Sequence, residues 1–273
     1  DKTQSILIEK LLKNINKSNF KYFYLEGWEC EVLKHVDKFI KKKYVIYTGD
    51  DDYILLEGAK NIIEYLEKER ECESCLGDVM LIGKTQINNE TFFSSSKYVL
   101  HERIEENCED RLLSFFKNYS LNMFAITKKE IFFNSLSYVP EFKNRNLCPE
   151  REINSELILG TFLTLNTKIK IIKEFYLIRT LGHAREIDNP AFKVNNDSKQ
   201  KSILYYKNVV NKFLNIKSVD KNKCRLINNS IDNYFIKERV KRNFINLTFK
   251  KLQFFIGKYK IIIKIKRQIF KVL

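Results

Sequence analysis

The sequence predicts an α/β fold, a sheet with flanking helices, followed by a helical and strongly basic C-terminal extension. Three observations predict it. Short runs rich in β-branched and aromatic residues alternate with amphipathic segments from Phe20 to about Arg185, the pattern of an α/β layer. From about Ser198 only helical spacing remains. The charge is uneven as well: Lys237 to Leu273 holds twelve Lys/Arg against the single acid Glu238, a net +11 of the chain's +15, which leaves +4 for everything before it.

With 273 residues, 44% of them apolar, the chain is large enough to bury a real core and too apolar to be disordered. Only 3 Pro and 8 Gly interrupt it, so regular structure with few sharp turns is expected. Two units are expected, an α/β domain over residues 1–195 and the helical extension over 196–273.

Taken in order, QSILIEKLLKNI (4–15) has apolar positions at helical spacing and FKYFYLEG from Phe20 reads as a strand. ECEVLKHVDKFIKKK (29–43) repeats Val32, Leu33, Val36, Phe39 and Ile40 every three or four residues, as a helix does. YVIYTG (44–49) is a buried strand ending at a glycine, and after three aspartates ILLEGAKNIIEYLEKERE (54–71) turns Ile54, Leu55, Ala59, Ile62, Ile63 and Leu66 to one face. CLGDVMLIGKTQI (75–87) is strand-like, and the polar stretch Asn88–Glu109 reads as an excursion over the surface. A helix is expected in ERIEENCEDRLLSFFKNY (102–119), a short strand leading into a helix in NMFAITKKEIFFNSL (122–136), and an apolar helix in INSELILGTFLTLN (153–166). KIKIIKEFYLIRTLGH (168–183) returns as a strand with a polar exit, and SILYYKNVVNKFL (202–214) opens the helical extension. There is no internal repeat, and no apolar run of about 18 residues that would span a bilayer.

The six cysteines are scattered, and only Cys72 and Cys75 form a CxxC pair. Zinc wants four ligands, so one pair without a second or a nearby His points to structural thiols. With no secretory signal and no disulfide-like spacing, the expected compartment is the reducing cytoplasm.

The chemistry-bearing stretch is YVIYTGDDDYILLEG (44–58). Ligands of open α/β sheets bind beyond the carboxyl ends of strands, and Asp50, Asp51 and Asp52 occupy such a place. Magnesium takes oxygen ligands, often one or two carboxylates completed by water and substrate phosphate. On spacing alone, a solvated acidic turn and a metal site are both open. Glu152 and Glu156, at i and i+4 on the start of a helix, are equally open, since the helix dipole favours acids there.

The run YVIYTGDDDYILLEGAKNIIEYLEK resembles the DxD region of GT-A glycosyltransferases, in particular the family 2 type of bacterial surface-polysaccharide synthesis. NMFAITKKEIFF resembles that group's acceptor-side strand and helix. REINSELILGTFLTLNTKIKIIKEFYLIRTLGHAR is similar to its acid-containing helix, following strand and histidine-bearing exit. The resemblance spans roughly residues 20–190 and implies a GT-A-like, Rossmann-type sheet. It implies that Asp50 lies near the donor nucleotide and Asp52 on a divalent metal, Mg²⁺ or Mn²⁺, with Asp51 taking either part if the register shifts by one. It places the general base at Glu152, with Glu150 as alternative, and His183 on the metal or the diphosphate. Arg179 and Arg185 are expected to counter phosphate charge. The family's first nucleotide-binding strand, of the type "vsiiipTyNR", has no counterpart before QSILIEKLLKNI, so either the chain is an N-terminally truncated piece, in keeping with its start at Asp1, or its donor pocket is built differently.

In the tail FINLTFKKLQFFIGKYKIIIKIKRQIFKVL, Ile262, Ile265, Ile269 and Val272 repeat at helical spacing while Lys260, Lys264, Arg267 and Lys271 fall largely elsewhere. This is the signature of an interfacial helix drawn to anionic lipid. Nucleic acid is disfavoured as a partner, because the basicity is confined to the tail and the apolar content exceeds what phosphate binding needs. The expected function is therefore metal-dependent transfer of a sugar from a nucleotide-sugar donor to a lipid-linked or polysaccharide acceptor, by a protein held peripherally on the cytoplasmic face of the plasma membrane. The alternative is a non-catalytic or truncated GT-A-like partner domain of a polysaccharide assembly complex.

Overall fold

The computed structural model describes residues 29–49, 52–87, 90–138, 156–181 and 196–236. Within them lies a mixed α/β layer: helices α1 (Glu29–Val36), α2 (Leu56–Lys68), α3 (Cys108–Lys117), α4 (Lys129–Ser137) and α5 (Ile158–Asn166) flank strands β1 (Tyr44–Val45), β2 (Tyr53–Ile54), β3 (Ser74–Ile87), β4 (Glu90–Lys97), β5 (Ile126–Lys128) and β6 (Ile169–Leu181). The helices α6 (Asn196–Ile216) and α7 (221–236) follow. The expected helices on Gln4–Ile15 and strand on Phe20–Gly27 lie outside the described residues, as does the tail from Lys237.

The strands form one sheet in the order β1-β5-β3-β6-β2, with β4 paired to the second half of β3. Among the described residues the one parallel ladder joins β3 to β6, from Ser74 opposite Ile169 to Gly83 opposite Leu181. All other pairs are antiparallel. Because β1 runs against β5 and β5 against β3, β1, β3 and β6 point the same way, with Val45 at the end of β1 level with the starts of β3 and β6 at Ser74 and Ile169.

Three expectations change in detail. The stretch expected to wander over the surface contains β4, which pairs with β3 from Met80–Lys97 to Ile87–Glu90. Its Ser94–Lys97 end is solvent-exposed, so no alternation of buried and polar residues marks it as a strand. β1 is shorter than YVIYTG, since its partner β5 is only three residues long and is preceded by a 3-10 turn at Asn122–Phe124. Ile46 and Tyr47 still pack on the core. The helix expected from Glu102 begins at Cys108, because Arg103 is drawn into a backbone bridge with Ile169, Arg103 N–H donating to Ile169 O at 2.9 Å and Ile169 N–H to Arg103 O at 2.8 Å.

Two glycines hold the layers close. A Cβ on Gly58 would lie 2.1 Å from the Phe175 carbonyl oxygen, so the first turn of α2 rests directly on the backbone of β6. A Cβ on Gly77 would lie 2.1 Å from the Glu174 oxygen, at the point where the β3–β6 register shifts. Glycine is the residue that permits such approach. α2 then buries Ile62 and Leu66, two residues of the face its sequence assigns to the interior.

The core centres on α5, whose residues Ile158 to Leu165 are all buried. A helix apolar all round belongs inside a layered domain. Arg111 on α3 reaches its carboxyl end, Nε donating to Thr164 O at 2.8 Å and Nη2 to Leu165 O at 2.9 Å. A guanidinium there satisfies orphan carbonyls and complements the helix dipole. α6 and α7 add Tyr206, Val210, Phe213, Leu214, Ile227 and Ile231 to the same core. Tyr206 shares a hydrogen bond with Thr161 of α5 at 2.5 Å. Lys223 near the start of α7 bridges Glu109 and Asp110 at the start of α3, both at 3.1 Å.

Candidate functional site

Beyond the carboxyl end of β1 the chain runs on through Ile46 and Tyr47, and the loop turns back toward β2. Asp52 closes it: Gly49 N–H donates to Asp52 Oδ2 at 3.1 Å, and the Asp52 N–H faces the Gly49 carbonyl at 3.4 Å. Tyr53 pairs with Ile178, so Asp52 stands beside the end of β6, where Arg179 follows. Arg179 Nε lies 3.4 Å from Asp52 Oδ1, and its Nη2 lies 3.8 Å from Glu156 Oε1. The Asp52 side chain is wholly buried and that of Arg179 is 21% exposed.

The guanidinium has an aromatic floor. Its central carbon sits 4.2 Å from the centroid of the Phe124 ring, within the range of a cation–π contact. Tyr47 adjoins that ring at 6.2 Å. Tyr176, fully buried in β6, donates its hydroxyl to Phe124 O at 2.9 Å and so fixes the 3-10 turn that carries the ring. Burial pushes the Tyr176 phenol well above its ordinary range, which keeps it a neutral donor.

Glu156 enters from the other side, in a wide π-type turn that leads into α5. Single turns of this kind occur often at functional sites. Tyr119, just after α3, is nearby. Burial foremost raises its phenol, Tyr234, Glu156 and Tyr98 raise it further, and Arg179 works in the opposite direction. Three loops and one strand end therefore converge on Arg179.

Of the residues singled out in the sequence, the fold joins Asp52 and Arg179, which are 127 positions apart, and brings Glu156 to them. Asp50, Asp51, Glu150, Glu152, His183 and Arg185 lie outside the described residues. Sequence reasoning missed Phe124, Tyr47, Tyr98, Tyr119 and Tyr234. In a chain with 13% aromatic residues no spacing distinguishes these five from core. Cys72 and Cys75 are free and buried, their thiols donating to Ser74 O and Leu76 O. Burial pushes both thiols up, which makes them inert rather than nucleophilic. Among the described residues no group of three or more His, Cys, Asp or Glu is arranged to hold a metal ion.

No family model matches this sequence, and no curated protein matches it. Among solved structures, a crystal structure of residues 1–349 of S. aureus TarS is similar, at a TM-score of 0.42 and 17% identity over 89% of this chain and 79% of that one.

Proposed function

We propose that this chain is a glycosyltransferase that moves a sugar from a nucleotide-sugar donor to a lipid-linked or polysaccharide acceptor. One observation carries the reading: a buried carboxylate, a half-buried arginine on an aromatic floor and a second carboxylate converge where the loop after β1 meets the last residues of β6. The DxD-like aspartates and their family resemblance add to it.

In this reading Arg179 offsets negative charge on the leaving diphosphate, for which a planar guanidinium with paired N–H donors is suited. Asp52 and Glu156 hold that guanidinium over Phe124, so the positive charge is oriented before the donor arrives. Glu152 takes the proton from the acceptor hydroxyl as its oxygen bonds to the anomeric carbon, while the bond from that carbon to the diphosphate oxygen breaks.

The Asp52 carboxylate is engaged within the protein. The side chain is buried, one oxygen faces the Gly49 N–H and the other faces Arg179. The Mg²⁺ or Mn²⁺ part of the proposal therefore rests on Asp50, Asp51 and His183. A divalent ion held there would supply further charge compensation on the diphosphate.

Calorimetry on the intact protein with nucleoside diphosphates, with and without Mn²⁺, tests the reading. Binding is expected, and it should fall at least about tenfold in Arg179→Ala, the scale of one charge-assisted contact. An intact protein that binds no nucleoside diphosphate under either condition removes the glycosyl-transfer reading.

The internal engagement of Asp52 favours one second reading, a non-catalytic partner domain of a polysaccharide assembly complex. Sustained turnover of a nucleotide-sugar would eliminate it. Among the described residues no helix is long and apolar enough to cross a membrane. The membrane part of the proposal, a peripheral site on the inner face, rests on the basic and apolar tail.

A further inference from the structure

The ring beneath Arg179 stands on a turn that is tied down at both ends. Asn122, Met123 and Phe124 are all buried. At the first of them the Asn122 side chain belongs to a directed chain of hydrogen bonds: Arg103 Nη2 donates to Ser120 Oγ at 3.3 Å, Ser120 Oγ to Asn122 Oδ1 at 2.8 Å, Asn122 Nδ2 to Thr164 Oγ1 at 2.9 Å, and Thr164 Oγ1 to Gly160 O at 2.7 Å. Each hydroxyl gives one proton and accepts one, so the amide has a single orientation. Arg103, Ser120, Asn122 and Thr164 are at most 1% exposed, and a buried polar chain with its donors and acceptors matched is rigid. At the last residue of the turn the Tyr176 hydroxyl donates to the Phe124 carbonyl. The turn is thus fastened to α5 at one end and to β6 at the other.

β6 also supplies the arginine. Tyr176 and Arg179 are three positions apart, and in a regular strand an odd spacing sends two side chains to opposite faces. Here both reach Phe124, the phenol at its carbonyl and the guanidinium over its ring. The ladder gives the reason. Asp78 is opposite Phe175 and Val79 is opposite Leu177, so Tyr176 is an extra residue without a partner in the β3–β6 pairing. Such a bulge re-aims a side chain, and bulges gather beside active sites. The Tyr176 carbonyl accepts from the Leu55 N–H at 2.8 Å, which holds the bulge from the β2 side.

We infer that Tyr176 is a positioning residue for Arg179, acting through Phe124 on a turn that the buried polar chain holds fixed. The inference rests on the glycosyl-transfer reading, in which Arg179 meets the diphosphate. Asp52 and Glu156 approach the guanidinium nitrogens, at 3.4 and 3.8 Å; the Phe124 ring face supports the group from below. The place of that ring is set by a bond from the same strand that carries the arginine. A guanidinium held in this way has less freedom to lose when an anion arrives.

The test is calorimetry with nucleoside diphosphates on the full chain, with and without Mn²⁺, for wild type, Tyr176→Phe, Tyr206→Phe, Phe124→Leu and the Tyr176→Phe/Phe124→Leu double variant. Tyr206→Phe is the control, since Tyr206 is as buried as Tyr176 and also loses one hydroxyl contact, to Thr161 between α5 and α6. Both tyrosine variants keep their rings and should lose a similar amount of melting temperature. Tyr176→Phe should lower diphosphate affinity about three- to tenfold, the scale of one hydrogen bond, and Tyr206→Phe by less than about twofold. In the Phe124→Leu background, itself weakened, Tyr176→Phe should add nothing, as for two residues that act as one unit. Unchanged affinity in Tyr176→Phe or in Phe124→Leu, equal losses in the two tyrosine variants, or additive losses in the double variant overturn the inference and leave the functional reading standing. A wild type that binds no nucleoside diphosphate overturns both.

Discussion

At the scale of single residues, Asp52 is the informative case. Its carboxylate has two engagements, the Gly49 N–H at 3.1 Å and the Arg179 guanidinium at 3.4 Å. Asparagine keeps an acceptor for the amide; alanine leaves both partners without one. Asp52→Ala should therefore lose about 1–3 kcal/mol of stability, the cost of unsatisfied buried polar groups, and Asp52→Asn clearly less. Urea unfolding of the two variants checks this, and equal losses would mean that the amide contact contributes nothing. The glycine at 58 gives the opposite kind of prediction. The atom that a new methyl would strike is a strand carbonyl oxygen at 2.1 Å, which cannot rotate away. Gly58→Ala should lower the urea midpoint by the equivalent of about 1–3 kcal/mol or more, although alanine is the better helix former.

At the scale of elements, α3 and α7 are joined by a charge cluster whose pH dependence can be signed. The Lys223 hydrogen bond, then that from Asn107, lowers Asp110 below its ordinary 3.8. For Glu109, burial opposes the shift, but a backbone amide and Lys223 still hold it below 4.5. Hydrogen bonds to Glu109 and Asp110 raise Lys223 above 10.5. Depressed carboxylates stabilise the fold above their unfolded values, and that contribution is lost as pH falls through the lower folded values. The raised lysine contributes fully below 10.5 and loses its part as pH rises through its folded value. Lys223→Met should thus destabilise at about pH 7, and its difference from wild type should shrink toward about pH 3. Parallel urea curves at the two pH values decide it, and a constant difference would show that Lys223 acts by packing its stem. The same elements show what a sequence can convey. α2, α5 and β6 were legible because Ile62 and Leu66, the unbroken apolar run of α5 and the β-branched run of β6 are one-dimensional patterns. β4 was not, since its exposed Ser94–Lys97 end resembles loop and its pairing with β3 is a tertiary fact. Nor was Arg103, whose place opposite Ile169 depends on a strand far along the chain.

At the scale of the whole molecule, the same limit governs the site. Asp52 and Arg179 were legible as residue types, but nothing local says that a strand end would bring an arginine to that aspartate, or that α7 would carry Tyr234 onto Tyr119. The charge is different, because it is a sum and can be read without a fold: +11 of the net +15 belongs to residues 237–273, interleaved with Phe244, Phe249, Phe254, Phe255, Ile262, Ile265 and Ile269. The aromatic core of the described residues ends with Tyr234 and Phe235, which pack on Phe116, Tyr119 and Tyr206. Those contacts belong to residues before Lys237, so a chain ending at Ile236 keeps them. Each Lys or Arg near an anionic leaflet contributes on the order of 1 kcal/mol, less as salt shortens a Debye length of about 10 Å at 0.1 M. Insertion of apolar side chains is not screened in this way. The full chain should therefore float with vesicles containing anionic lipid, more weakly but still detectably at high salt, and the shortened chain should stay with the soluble fraction. Binding to nucleic acid that falls steeply with salt, with no flotation even at low salt, would instead assign the tail to a phosphate backbone.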